Sequence, residues 1–541
     1  MQVQVRINEE GALRNQRYAF TDRFTLISEL MQNARRAGAR RIEITYDEAS
    51  GMLRVVDDGC GITDFQKLLT FNESGWNPDT CDEERPFGIG FSKCLYSASH
   101  CIVASRNRKI DFLTGDALAR KPIDVVEFEH HPHTAVELHD VRLPGLAHRL
   151  QTMCSGFPVA VWFNGGALPR MHAIGQLPFL PTDIGLVYLS GTRTGKHASQ
   201  TLVFLQGLCV MRPSYFDDGH VNVVHLDSRQ FVARLPDRDK LIDEDDQKRR
   251  IDACLKSLWR QVLLDAKARM AAQAFVDAYF DAMRGWGHLD LLNDIPLLPT
   301  KVCERIVGYP IQEGYEECDY LAPMEQSLSR SEIEDGSAVL VCLDAVNSDN
   351  AACWMLAKAK GYLVFSPASL HRDHWVQPYV RTIDDEAIRV TAVGEQCRVT
   401  LEGCWIWPCV ILCDAVAITA GDDGVTIRDE GVYHDDAIFV PIGECSGEPV
   451  RQASDFIDSN DRFLEGDCDN DRDALADLIP RLRSVDPQAT LDSLLRELKL
   501  EKYPLLHGKT FQLKVGCGRG EHVVELIPAP AAHAAPAAGR L

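Results

Sequence analysis

A helix, a strand running into a turn, and a glycine pair follow one another in the first hundred residues, and their order constrains what this part can fold into. In ISELMQNARRAGA, Leu26, Leu30 and Ala34 fall on one stripe, which predicts a helix over Phe24–Ala37. Thr25 is placed to cap its start and Gly38 to end it. Glu29 and Asn33 are four residues apart, so that helix presents them one turn apart on one face. RRIEITYDE alternates as a strand, and LRVVDDG follows it through an Ala49-Ser50-Gly51 turn. The second strand ends in Asp57, Gly59 and Gly61, spaced D-x-G-x-G. After a polar stretch, Gly88 and Gly90 precede a helix over FSKCLYSA, with Pro86 stiffening the entry.

Each pattern has a chemical use. A carboxylate beside an amide oxygen can polarise a water while the amide ligates magnesium, which prefers oxygen donors. A carboxylate at a strand end can accept from the amino group of a nucleotide base, and glycines after it let the backbone approach that base. Glycines at a helix start expose N–H groups to phosphates. Singly, each pattern is as ordinary as a solvated helix face, a D-D-G turn or a glycine loop. GTRTGKH, at Gly191–His197, has one residue too few between its glycines and no Ser or Thr after its lysine, so it is not a P-loop. His130, His131 and His133 cluster at a strand end without a matching carboxylate or cysteine spacing for a metal.

At 541 residues the chain predicts two to four domains. No apolar run approaches the roughly 18 residues of a membrane span, and MQVQVRINEEGALRNQ lacks a signal-peptide core, so a cytoplasmic location and no membrane partner are expected. None of the 18 cysteines forms a C-x-x-C pair, and reduced, mostly buried thiols are expected. The net charge of −22 is uneven: −5 over residues 1–140 (17 basic, 22 acidic), +2 over 141–300 (18 basic, 16 acidic) and −19 over 301–541 (22 basic, 41 acidic). An acidic C-terminal part repels a nucleic-acid backbone, so protein partners are expected and nucleic acid is the lesser alternative.

The patterning predicts α/β (α+β) architecture. Over residues 1–140 the strands RRIEITYDE, LRVVDDG, CIVASR, VVEFEHH and TAVELHDV suit an antiparallel or mixed sheet with helices on one face. VAVWFNG, GLVYLS, TLVFLQGLCV and VNVVHL read as strands, followed by a helix from near Asp245 that is expected to continue through the alanine-rich stretch to Trp286. Beyond 300, VLVCLDA, GYLVFS, AIRVTAV, WIWPCVILCDAVAITA and AIFVPIG read as strands, LDSLLRELKLEKYPLL as a helix, and TFQLKVG with HVVELIP as a hairpin. An acidic loop is expected over SDFIDSNDRFLEGDCDNDRDALADL, and the tail PAPAAHAAPAAGRL is expected to be disordered.

Taken together, ELMQNARRAGARRIEI, DDGCGI, FGIGFSKCLYSASHCIVAS and TAVEL resemble the GHKL ATPase superfamily, which includes gyrase B, MutL, sensor histidine kinases and the ninety-kilodalton heat-shock chaperone. The resemblance covers about residues 20–140, and the glycine loop is most similar to the chaperone branch. It implies a Bergerat-type ATP-binding α/β sandwich over 1–140, a β/α transducer-like domain over 141–290, a mixed α/β region over 291–527 and a tail over 528–541. It further implies ATP and Mg2+ as ligands. Glu29 would be the general base and Asn33 the magnesium ligand. Asp57 would hold the adenine amino group, with Gly59 and Gly61 beside the base, and Thr134 would support it. Gly88, Gly90 and Phe91 would line the phosphates, with Lys93 a lesser candidate that is expected to be solvated. Phe71–Arg85 would form a lid, its Ser74-Gly75 similar to a pair in the chaperone's lid. QFVARLPDRDKLIDEDDQKRRI is similar to the segment that sends a cation to the γ-phosphate, with Lys240 and Arg238 as candidates and Arg234 third.

The resemblance thus implies a slow, magnesium-dependent ATPase, a conformational switch acting on a protein client, able to form a homodimer. Too few residues precede Phe24 for the dimerising helix pair of a sensor kinase. A DNA-transacting ATPase of the MutL or gyrase kind is the alternative, and a nucleotide-sensing scaffold in a defence or mobile-element system the third.

Overall fold

The computed structural model of the chain describes residues 3–4, 8–18, 20–73, 76, 80, 84, 88, 90–217, 219–234, 237–308, 320–346, 350–400, 409–435, 437–444, 473–474, 477–518 and 520–528. Helices and mixed sheets make the chain α+β, as expected. Two units divide it, Met1–Ile295 and Pro296–Leu541. The one boundary between them follows Ile295.

In the first unit, α1 (Glu9–Gln16) precedes α2 (Thr25–Arg36), the predicted helix. Leu26, Ile27, Leu30, Met31 and Ala34 are its buried apolar face. Its start departs from expectation. Phe24 is the N-cap and offers no side-chain bond, while the Thr25 hydroxyl donates to Asp237 instead. Its end follows the glycine signal. Gly38, at φ +74°, donates to the Arg35 carbonyl while Ala39 donates to that of Ala34, the paired bonds of a Schellman stop.

The sheet beneath α2 is built from β1 (Arg41–Asp47), β2 (Met52–Asp57), β3 (His100–Leu113), β4 (Val126–His139), β5 (Ala160–Phe163) and β6 (Gly166–Ala167), in the order β3-β4-β2-β1-β5-β6. All neighbours are antiparallel except β1 and β5. The first sheet therefore extends past residue 140, the expected domain limit, because the chain returns at Ala160 to cover the free edge of β1. VVEFEHH and TAVELHDV, expected as two strands, form the single strand β4. Its register against β3 shifts around Arg106, where φ is +56°.

Strand β1 alternates strictly. Ile42, Ile44 and Tyr46 are buried and Arg41, Glu43, Thr45 and Asp47 exposed, which leaves one covered face. Leu53 and Val55 of β2 join the same core as α2, α3 (Ser92–Ser97) and α4 (Leu146–Cys154). Each fully buried Leu or Ile there contributes about 1.5–3 kcal/mol.

A second sheet runs β10-β9-β11-β8-β7, from β7 (Leu180–Thr182), β8 (Gly185–Tyr188), β9 (Thr201–Leu205), β10 (Leu208–Met211) and β11 (Asn222–Leu226). The β9–β10 hairpin turns through Gln206 and Gly207, both at positive φ (+53° and +83°), a left-handed pair that matches strand twist. The expected long helix is two helices, α5 (Glu244–Arg269) and α6 (Ala272–Trp286), because the backbone at Met270 is extended. That break folds α6 back so that Trp286 stacks on Trp259, ring centroids 6.3 Å apart.

In the second unit the expected strands are present at 340–342, 363–365, 388–393 and 437–440, while WIWPCVILCDAVAITA, expected as one, holds two, at 409–412 and 415–420, in sheets of five, three and four strands. Helix α7 (Ala351–Lys360) was not anticipated: seven of its residues are buried all round, so it shows no amphipathic stripe. The helix expected over 491–506 is α8 (Pro487–Glu497), which begins four residues earlier and stops before Lys499, at φ +45°, while the hairpin Thr510–Lys514/Val523–Ile527 is where the patterning puts it. Most of the acidic loop and all of the tail after residue 528 lie outside the described residues. Among the described residues no helix is long and apolar enough to cross a membrane.

Leu53→Ala should lower unfolding free energy by about 2–5 kcal/mol, whereas Thr45→Ala on the exposed face should stay within about 0.5 kcal/mol. Denaturant titration of both measures the difference, and equal losses would contradict the one-faced core.

Candidate functional site

The turn after β2 packs against the C-terminal end of α2: Cys60 N–H donates to the Ala37 carbonyl at 2.8 Å. A Cβ on Gly59 would lie 2.7 Å from the Ala37 Cβ, so only glycine lets turn and helix approach this closely. Two turns up the helix from Ala37, about 12 Å away, Glu29 lies against the glycine loop. A Cβ on Gly90 would sit 2.2 Å from Glu29 Oε2. Between these two contacts lies a cavity of about 360 Å³, within the usual size of small-molecule pockets.

Nine of the eleven predicted site residues line it: Glu29, Asn33, Asp57, Gly61, Gly88, Gly90, Phe91, Thr134 and Arg238. Gly59 does not; it holds the turn, and its N–H donates to Asp57 Oδ1 at 2.9 Å. Lys240, expected as an equal alternative to Arg238, is exposed and lines a separate cleft. Arg234 is also exposed and pairs with Asp239. Lys93, expected to be solvated, is buried instead, its ammonium 4.8 Å from the centre of the Phe20 ring, and it does not line the cavity. Of the expected lid, Phe71, Asn72, Glu73, Trp76, Thr80 and Glu84 are described; Ser74 and Gly75 lie outside the described residues.

At the turn end, sheet register makes the floor. Asp57 of β2 is paired directly with Thr134 of β4. The Thr134 and Ser105 hydroxyls lie 3.0 Å apart, and Ser105 Oγ accepts from Ile62 N–H at 2.9 Å. Leu30, Ala34, Val55, Ile62 and Val136 add apolar wall. Burial in this setting pushes the Asp57 carboxyl above its ordinary range, the Gly59 N–H opposing it and the charge of Asp58 adding to it. Asp58 itself turns away and accepts from the Arg40 and Arg41 N–H groups. Gly61, at φ +80°, lies under Arg106, whose Nη2 donates to the Cys60 carbonyl at 2.8 Å.

At the other end the cavity is charged. Arg238 Nε donates to Glu29 Oε1 at 2.9 Å, both side chains under a tenth exposed. Arg238 Nη1 donates to Gln206 Oε1 at 3.2 Å. The Arg238 backbone is left-handed, at φ +53°. Its neighbour Asp237 anchors that conformation by accepting from the Thr21 N–H and from the Thr21 and Thr25 hydroxyls. Gln206, at the hairpin tip, accepts on its carbonyl from Gln32 Nε2 at 2.9 Å. Arg35 and Arg36 both pair with Glu84.

Gln206, Arg36, Glu84, Ser105 and Arg106 were not singled out from the sequence. A signal existed for two of them. LQGL between apolar runs marks a hairpin tip, and Arg36 falls three residues after Asn33 on the same helix face.

The chain matches no family model, and no curated protein sequence matches it.

Magnesium, which the resemblance implies, takes oxygen donors and keeps several waters. Asn33 Oδ1 lies on the cavity wall with one long contact, 3.4 Å from Arg36 Nη1. That single amide oxygen fits an ion whose other ligands are water and phosphate. Among the described residues no group of three or more His, Cys, Asp or Glu could form an all-protein cage.

Two predictions follow from the geometry. Gly90→Ala should displace the Glu29 carboxylate and lower the melting temperature; an unchanged melting temperature would show that Gly90 does not abut Glu29. Asp57→Asn keeps an acceptor for the Gly59 N–H but removes a buried charge. Because the folded carboxyl titrates above the unfolded one, its ionisation costs stability as pH rises through that interval. The Asn variant should therefore be the more stable above the raised value, with the gain fading to nothing below the ordinary carboxylate range. Melting temperatures of both proteins across pH test the sign.

Proposed function

We propose that the chain binds and hydrolyses ATP as a GHKL-type enzyme, a conformational switch of the chaperone-like branch acting on a protein partner. What supports this reading is that one cavity brings together residues from both ends of a nucleotide site. Asp57 and Thr134 share its apolar floor, and Glu29, Asn33, Gly90 and Arg238 share its charged end.

On this reading the Asp57 carboxylate accepts from the adenine amino group, with Gly61 leaving room for the ring. Gly88 and Gly90 admit phosphates without a side chain in the way. Asn33 would hold magnesium, which when bound offsets phosphate charge. Glu29 takes the proton of the attacking water as the water oxygen bonds to the γ-phosphorus and the bond to the bridging oxygen breaks. A carboxylate bonded to a guanidinium is a weak base, so Arg238 must leave Glu29 first. The γ-phosphate gives Arg238 somewhere to go, where it also stabilises charge in the transition state. Turnover is thereby coupled to the 237–240 segment and to the hairpin tip at Gln206, which both touch this arginine's surroundings. Such coupling is what a switch requires.

Glu29→Gln retains an acceptor for Arg238. It should bind ATP with affinity close to wild type while turnover falls by about 10²–10⁴-fold. Single-turnover hydrolysis and calorimetric binding, with and without DNA, measure both. Turnover that survives would remove Glu29 as base. Turnover stimulated by DNA and falling steeply with salt would favour the DNA-transacting alternative.

A further inference from the structure

Arg36 is the most deeply buried cation at the cavity wall, its side chain 2 % exposed. Its Nε donates to Glu84 Oε2 at 2.9 Å and its Nη1 reaches Asn33 at 3.4 Å. Its Nη2 is fully enclosed and has no hydrogen-bond partner among the described residues. A buried guanidinium edge left without an acceptor is unfavourable. Burial, and then the nearby charge of Arg238, hold Arg36 below the ordinary arginine value. The site is short of negative charge at this point.

Glu84 bonds to Arg36 directly, while the charge of Glu29 acts from nearby. The Glu84 side chain is 15 % exposed and it accepts from Arg35 Nη1 at 2.8 Å as well as from Arg36. Burial alone would raise the Glu84 carboxyl, but the Arg35 and Arg36 guanidiniums hold it below its usual range. Gln206 Nε2 lies 3.4 Å from the Glu84 carbonyl, so the hairpin tip that contacts Arg238 also contacts this residue. Arginine forks donate to carboxylate and phosphate oxygens in the same geometry.

We propose that Glu84 is an internal stand-in for phosphate, and that a polyphosphate binds by displacing its carboxylate from Arg36, whose Nη2 takes a phosphate oxygen. This rests on the ATP reading and adds to it a residue, Arg36, and a competitor, Glu84. Binding is then an exchange of one anion for another. Release of Glu84 reports to Gln206 that the phosphate seat is filled.

The test is calorimetric binding of ATP, ADP and adenosine, with magnesium in excess, to wild type, Glu84→Gln, Arg36→Met and the double variant, each checked for an unchanged melting profile. Glu84→Gln should tighten ATP about tenfold, the equivalent of one charge-assisted hydrogen bond no longer competed for, and leave adenosine unchanged. Arg36→Met should weaken ATP at least tenfold and spare adenosine. Adding Glu84→Gln to Arg36→Met should give no further gain. ATP affinity in Glu84→Gln equal to or below wild type would overturn the proposal, as would equal tightening of adenosine. A wild-type protein that binds neither ATP nor adenosine would instead overturn the ATP reading beneath it. Should Arg36→Met fail to fold, the Glu84→Gln comparison decides alone.

Discussion

The ion pair between Glu29 and Arg238 joins residues 209 positions apart, and the rest of the site is arranged around it. Removing one partner from such a buried pair typically costs about 3–5 kcal/mol, because the other is left charged and unsolvated. The pair is held in place from both sides. Gly90 leaves only the space that the Glu29 carboxylate needs, and Asp237 fixes a left-handed backbone at Arg238 through Thr21 and Thr25. The hydroxyl that would cap α2 is spent on this anchor. A helix that forgoes its own cap to hold a loop 212 residues away marks that loop's position as the stronger requirement.

From this pair to the Asp57 turn the cavity changes character along a single helix. The charged end is lined by the guanidiniums of Arg36 and Arg238 and by Glu29, with Glu84 paired to Arg36 and to Arg35. The floor holds one carboxyl whose ionisation is opposed by its apolar surroundings. A ligand with an amino-bearing ring at one end and anions at the other meets complementary groups at both. An uncharged ring alone would leave the arginines with their present partners. On the proposed reading, selection of both halves of a nucleotide would come from where α2 meets a turn and where it meets a loop.

The local parts of this site were legible because they lie close together in sequence. The α2 stripe, the strict alternation of β1, the Gly38 stop and the Asp57 turn each follow from periodicity or from a residue that only one conformation suits. What depends on chain return was not legible. The parallel pairing of Ala160–Phe163 with β1 places the sheet edge beyond the expected limit, and nothing in either strand names its partner. Arg238 and Lys240 are two residues apart in one charged run, and only the Asp237 anchor separates the one that enters the cavity from the one that does not. The break at Met270 carries no glycine or proline, and α7 is apolar on every side, so neither could be read from pattern.

The charge balance at the polar end bears on how such a site can switch. An empty pocket with three unopposed arginines would repel itself open; one fully neutralised would gain little from an anion. Here Glu29 and Glu84 neutralise most of the charge but leave one edge of Arg36 unused. The resting state is therefore stable enough to persist and poor enough in acceptors to be displaced. On the proposed reading, an arriving polyphosphate would take over the arginines and return both carboxylates. One of these is the proposed base, and the other belongs to a residue whose carbonyl faces Gln206. Freeing the base and signalling to the second sheet then follow from one substitution of anions, with no separate device needed to keep them in step.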